Sequence, residues 1–289
     1  MSFRSSPKCA VAATALALAA CVIVPQRQHA LVSLAPGSLT ERSAVCGDPA
    51  AITAIDAGDE GPTALDPAML RLASWNLHKQ WDSGWQEELS QLAGRSDVLL
   101  LQEAGVTPEL RDALGRAGFN WLMASSFAFA GTEYGVMIAS RARPTYFCTG
   151  RAIEPLLGIP KSFLVARFRV AGRNAAIEIA TAHTLNFMLE LGPYEAQLDA
   201  LGEVLAAHAG PIVLAGDFNT WSEAREHALA VLAARLALEP AVFPADTRSR
   251  FLGRPVDWAY ARGADVLDAA APVVTASDHN PLIVTLRIR

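Results

Sequence analysis

The sequence predicts an α/β (α+β) protein built from two packed sheets with helices outside. Apolar runs of strand length recur from residue 72 to the C-terminus, while helical periodicity fills only some of the gaps. That spacing fits two packed sheets better than a doubly wound parallel sheet, which needs a helix after nearly every strand. Several runs also end on carboxylates, amides or imidazoles, so the strand ends are expected to build one polar cluster. With 289 residues, 52% of them hydrophobic, the chain is long enough for one large core or two modest ones.

The N-terminus carries Arg4 and Lys8 and then an apolar run over 10–24, the layout of a secretory signal. The run falls short of the roughly 20 residues that span a bilayer comfortably. Leu18-Ala19-Ala20-Cys21 fits a lipoprotein signal, although Val22-Ile23-Val24 is unusually apolar to follow such a cysteine. Residues 1–24 are therefore expected to be a signal, a lipoprotein signal or a retained anchor. The protein would then sit in the cell envelope, tethered to the membrane through its N-terminus; the alternative location is cytoplasmic. Residues 25–70, rich in Ala, Pro, Gly, Asp and Thr without periodicity, read as an extended arm or linker, and 71–289 as the folded domain. Outside the leader only Cys46 and Cys148 remain. They form one disulfide in an oxidising compartment or stand as two unrelated thiols, and the sequence leaves both open.

Strands are expected over 72–77, 98–103, 134–140, 163–170, 176–183, 212–219, 257–261 and 282–288. Helices are expected over 85–92, over 108–114, from Gly192-Pro193 to about Gly210, and from an N-cap at Ser222 to Leu236. The formal charge of −5 gives no global basic field to gather nucleic acid. A bound divalent cation would supply positive charge locally, so a phosphate substrate is not excluded.

Asn76 and Glu103 each close an apolar run and offer an amide oxygen and a carboxylate, hard ligands that suit magnesium or manganese. Asp217 and Asn219 flank Phe218, so a strand pleat would aim both at one face and Phe218 at the opposite core. Such a pair can orient water and bond a phosphoryl oxygen. Asp278 and His279 precede the last strand, and Asp257 is a carboxylate placed to hold His279 protonated. His183 is a second strand-end histidine. Two histidines among several carboxylates suit proton transfer to a phosphate ester. Lys79 is a candidate substrate contact, whereas Trp221, Trp258 and Phe187 are read mainly as packing residues.

Trp75-Asn76, Gln102-Glu103, Gly216-Asp217-Phe218-Asn219 and Ser277-Asp278-His279 occur in the order that resembles the endonuclease/exonuclease/phosphatase superfamily, whose members include DNase I-like nucleases. The segments 75–80, 101–104, 107–110 and 253–257 are similar to its bacterial YafD-like branch. The resemblance covers about residues 71–289 and implies a four-layer αββα sandwich with the site on its rim. It implies metal-site positions at Asn76, Glu103 and Asp278, and a water-orienting role for Asp217. Phosphate contacts fall at Asn219 and His183, the scissile-phosphate partner at His279, and its orienting carboxylate at Asp257. The expected activity is hydrolysis of a phosphodiester by metal-activated water, with a nuclease-like enzyme ahead of a sphingomyelinase-like lipid phosphodiesterase. The rival is a non-catalytic, envelope-tethered binding protein on the same scaffold. Partners are expected to be a nucleic acid or a phospholipid head group, with the chain a monomer. Ala104-Gly105 stands where several nucleases carry a basic or substrate-contacting residue, a departure that weakens a claim of DNA cleavage.

Overall fold

The computed structural model describes residues 22–35, 37–48, 64–188 and 190–289. Positions 1–21 of the expected leader therefore lie outside the described residues. Within the leader and arm the described chain contains β1 (Val22–Ile23), β2 (Ala30–Ser33), β3 (Thr40–Arg42) and β4 (Ala64–Leu65). The expected domain follows with β5 (Leu70–Asn76), α1 (Trp85–Arg95), β6 (Val98–Gly105), α2 (Pro108–Arg116), β7 (Asn120–Phe129) and β8 (Thr132–Ser140). Its second half holds β9 (Tyr146–Ile153), β10 (Pro160–Val170), β11 (Ala176–His183), α3 (Gly192–Ala206), β12 (Ile212–Asp217) and α4 (Glu223–Arg235). The short β13 (Glu239–Pro240), β14 (Arg250–Phe251) and β15 (Arg254–Pro255) precede β16 (Asp257–Arg262), β17 (Ala264–Ala270) and β18 (Leu282–Ile288).

Among the described residues one sheet has the order β17-β18-β5-β6-β8-β7-β2-β3, with β1 on β7; the other is β13-β16-β12-β11-β10-β4, with β9 on β10. Leu72, Leu100 and Ile138 of the first sheet meet Leu164, Ile179 and Val213 of the second in a core between the two. The opposite face of the first sheet buries Trp75, Leu99 and Leu101 against Leu89 and Leu92 of α1 and Leu110 and Leu114 of α2. That of the second buries Leu214 and Phe218 against Tyr194, Leu198 and Leu205 of α3 and Leu229 and Leu232 of α4. The alternation along each strand thus feeds two cores, and the outcome is the expected αββα sandwich.

Two of the helices, α2 and α4, start at side-chain caps. Ser222 accepts a hydrogen bond from Arg225 N, and Thr107 accepts one from Leu110 N just before Pro108.

Part of the expected arm is corrected. Ala30–Ser33 is buried and pairs with β7, Thr40–Arg42 pairs with β2, and Ala64–Leu65 runs parallel to β10. Ala-Leu-Val-Ser is too short and uniformly apolar to show a period, yet the unpaired edge of β7 gives it hydrogen-bond partners. Cys46 and Cys148 form a disulfide. The strands β7, β9 and β17 were not expected, since small and polar residues dilute their alternation.

Candidate active site

Strand register brings the first three groups together. His183 of β11 lies opposite Asp217 of β12, and Asp217 lies opposite Asp257 of β16, so the three form one row across the second sheet. Gly216 permits this row, because a Cβ there would stand 2.2 Å from the Ala182 carbonyl oxygen. The first sheet contributes Asn76, whose Nδ2 donates to Asp217 Oδ2 at 3.0 Å. Gln102 Nε2 makes a second bridge between the sheets, donating to Thr181 Oγ1 at 2.8 Å.

Glu103 reaches the cavity through a break in the pairing of β6 with β8. The register shifts between Leu101 and Ala104, and Glu103 has a φ of 50°. Unbroken alternation would aim Glu103 at the helices; Ala104 takes that face instead. The turn after β5 is also left-handed, with φ of 44°, 57° and 60° at His78, Lys79 and Gln80. Such conformations cost about 1–3 kcal/mol each and persist only where neighbours enforce them. Gln80 does so here, since its Nε2 donates to Gly105 O at 2.9 Å and its Oε1 accepts from Gly105 N at 2.7 Å. Gly105 therefore makes room for the Gln80 amide.

Asn219, with φ of 46°, lies beyond the end of β12 while Phe218 is buried in the core under α3 and α4. Its backbone N donates to Asp217 Oδ1 at 3.0 Å and its Nδ2 to Thr184 O at 2.9 Å. His279 Nδ1 and Asp257 Oδ2 are 2.8 Å apart. Trp75 Nε1 donates to His279 O at 2.8 Å, and Ser277 Oγ to Asn76 O at 2.7 Å, which fixes the 277–279 loop on β5.

The cavity, about 330 Å³, is lined by Asn76, Lys79, Glu103, His183, Asp217, Asn219, Asp278 and His279. Asp257 stands behind His279. Every expected site residue is therefore at this cavity or directly supports it, although Asp278 is exposed at the mouth. A larger cleft, about 800 Å³, lies beside α3, but two of its charged groups, Arg167 and Glu178, are spent on each other.

Lys161, Glu154 and Arg225 escaped sequence reasoning. Lys161 Nζ lies 2.8 Å from His183 Nε2 and 3.6 Å from Glu103 Oε1. Glu154 Oε1 accepts from the backbone N of Asn186 and of Phe187. The buried Arg225 donates to the carbonyls of Leu185, Asn186, Met188 and Asn219. Pro160-Lys161 opening a strand antiparallel to the His183 strand was the only available signal. Trp221 and Trp258 donate to Asn186 Oδ1 and Thr220 Oγ1, as packing residues with polar handles.

Burial opposes charge on Glu103, yet Lys161, His183 and Lys79 outweigh it and hold the carboxyl well below its usual range. Lys79 Nζ donates to Glu103 Oε2. Burial and the neighbouring Lys161 push His183 down to about 4, despite Asp217 and Glu103. Burial would also lower His279, but Asp257 and Asp217 raise it to about 10. One histidine is thus neutral and the other protonated at neutral pH.

Asn76, Glu103 and Asp278 line this cavity; Asn76 Oδ1 accepts from His78 N at 3.0 Å and keeps a second lone pair, and Glu103 has gathered two ammonium groups. A donor set of this chemistry fits a hard divalent cation. Ligand atoms of Asp217, Asp257 and His279 also lie within 4.8 Å of one another. However, a protonated imidazole engaged with Asp257 is a poor ligand, so that trio is better suited to proton transfer.

The sequence model of the Endonuclease/Exonuclease/phosphatase family matches residues 73–279. A UPF0294 protein of Yersinia pseudotuberculosis is 40% identical over 228 residues, 78% of this chain and 86% of that one. One of Vibrio cholerae is 36% identical over 220 residues, 76% and 78% of the two chains. In fold the chain is similar to the human Nocturnin catalytic domain, with a TM-score of 0.60 at 17% identity over 78% of this chain and 96% of that one. It is equally similar to ANGEL2, described as a 2',3'-cyclic phosphatase, with a TM-score of 0.60 at 15% identity over 76% and 95%. With its matched motifs gathered at one cavity, the chain belongs to the endonuclease/exonuclease/phosphatase family, whose members are phosphoesterases and typically depend on a divalent metal.

Proposed function

We propose that this protein hydrolyses a phosphodiester with water, in a reaction that depends on magnesium or manganese. The observation that carries this reading is the convergence of His183 and His279 on Asp217 Oδ2, at 3.3 and 3.9 Å, opposite Asn76 and Glu103. Asn76, Glu103 and Asp278 would hold the ion, whose chemistry there is to polarise the phosphoryl group and stabilise the leaving oxygen. Asp217, steadied by Asn76 Nδ2 and Asn219 N, orients the attacking water and accepts its proton. His279 presents its Nε2 proton to the phosphoryl oxygen while Asp257 fixes the ring through Nδ1. Asn219, His183, Lys79 and Lys161 contact the phosphate.

The substrate is a nucleic acid or a phospholipid head group. The acidic chain speaks against gripping a long duplex, and the apolar mouth of the cavity favours the lipid as a second reading. The leader, together with a disulfide of the kind that persists in oxidising compartments, supports a chain tethered in the cell envelope.

The test is hydrolysis of plasmid DNA, RNA, phospholipid vesicles and bis-(p-nitrophenyl) phosphate, with and without chelator. Activity should vanish with chelator and return with magnesium or manganese. Glu103→Gln should weaken manganese binding, read by calorimetry, by at least about 10²-fold, since even outer-shell changes cost roughly 10–100-fold. Full activity in excess chelator would end the metal reading. No hydrolysis of any phosphoester at saturating metal would favour the binding-protein rival.

A further inference from the structure

Large apolar side chains are normally scattered singly over a protein surface, whereas two chain segments beside this cavity, 153–157 and 187, carry four of them, Ile153 standing between this cavity and the larger cleft. Leu156 is 77% exposed, Phe187 and Ile153 each 55%, and Leu157 50%. Leu157 and Phe187 line the cavity itself. Glu154 ties the two loops together, because it follows Ile153 in the chain and its Oε1 accepts from Phe187 N at 3.2 Å. The patch is therefore preformed.

The N-terminal chain enters the fold at the same place. β1 pairs Val22 with Phe129 and Ile23 with Ala128, next to Phe127 in the cavity wall. At about 3.3 Å per strand residue, Val22 joins the fold roughly 7 Å along β7 from that wall. Arg151 of β9 donates to Pro25 O at 2.9 Å, which binds the N-terminal segment to the strand that carries Ile153. Ile23 is itself 66% exposed. The apolar run over 10–24, with Cys21 immediately before Val22, thus leads into the fold beside the cavity mouth.

We infer that this rim is a membrane-docking face that seats the cavity mouth on a lipid bilayer, where the reachable phosphodiesters are phospholipid head groups. The substrate half of the inference rests on the proposed phosphodiester hydrolysis; the docking half does not. An anchor elsewhere on the sandwich would leave the mouth free to turn towards solvent. An anchor at Val22 holds it against the bilayer, and Ile153, Leu156, Leu157 and Phe187 then leave water on contact.

Full-length protein is compared alone and on vesicles of phosphatidylethanolamine and phosphatidylglycerol. Hydrogen exchange is followed over 153–159 and 185–188, together with hydrolysis of vesicle lipid and of soluble bis-(p-nitrophenyl) phosphate. Vesicles should slow exchange in both segments. The double variant Ile153→Glu, Leu156→Glu touches neither the cavity nor a buried core. It should abolish that protection and lower vesicle hydrolysis at least about tenfold, the loss expected for even one partly buried aliphatic side chain, while soluble-substrate hydrolysis stays unchanged. Unprotected rim segments in vesicle-bound protein would overturn the docking face, as would hydrolysis of nucleic acid but not lipid with the rim still exposed. Rim protection without hydrolysis of any phosphoester would uphold docking and overturn the hydrolase reading instead.

Discussion

His183 and His279 both approach Asp217 Oδ2, at 3.3 and 3.9 Å, yet their surroundings drive them in opposite directions. Burial disfavours the charged form of each; Lys161 adds to that at His183, while Asp257 overrides it at His279. Groups pushed apart in this way suit different tasks, which in the proposed reaction are proton donation for His279 and phosphate contact for His183. His279 in its acid form should persist until pH approaches about 10, so the alkaline limb of activity should fall there. Asp257→Asn removes the charge that raises His279 and keeps the shape. The limb should then move to lower pH, towards the ordinary value near 6.5, and the rate at neutral pH should drop. A pH–rate profile with a soluble phosphodiester checks this, and manganese affinity should barely change. An unmoved alkaline limb would refute the role of Asp257.

At the scale of elements, the row His183, Asp217 and Asp257 depends on how closely β11 and β12 approach at Gly216. Gly216→Ala places a methyl against the Ala182 carbonyl, so strand separation must grow in the middle of the site. The variant is expected to lose about 1–3 kcal/mol, as overpacking does, and to lose activity beyond what its folded fraction explains. Denaturant unfolding beside kcat distinguishes the two, and wild-type values for both would remove the close approach from the account. The strands carrying this row were legible because 212–216 is a continuous apolar run, 176–182 a mostly apolar one broken by Glu178 and Thr181, and each ends on a polar residue. Strands such as 120–129 were not, because Asn120, Ser125 and Ser126 break the period. Asn76 and Asp217 close recognisable strands, while Asp257 opens one and His279 shortly precedes another, so their convergence could be read as well. The way Glu103 reaches the cavity could not, since a bulge is a property of the pairing between β6 and β8 and leaves no period in either strand. Lys161 was hidden for a related reason: a lysine opening a strand looks solvated until antiparallel pairing sets it beside His183.

Across the whole molecule, the N-terminal segment joins both sheets. β2 extends the first sheet through β7, whereas Val45 bridges to Thr149 and Cys46 bonds Cys148 on β9 of the second. The disulfide spans a sequence separation of 102 residues, and closing a loop of about 100 residues is worth roughly 4–5 kcal/mol in the chain-entropy description. Neither cysteine lines the candidate active-site cavity. The double variant Cys46→Ser, Cys148→Ser should therefore lower stability by about 2–5 kcal/mol. At about 2–4 °C per kcal/mol for a domain of this size, the melting temperature should fall by roughly 5–20 °C. Hydrolysis of a soluble substrate below that temperature should be unaffected. The vesicle rate should fall, because the disulfide also fixes the segment that enters the fold at Val22 beside the cavity mouth. Calorimetry with paired soluble and vesicle assays separates these effects. An unchanged melting temperature would show that the arm is held by β2 alone. A vesicle rate that survives a large loss of stability would mean that seating on the bilayer depends on the Leu156 and Phe187 rim rather than on the N-terminal staple.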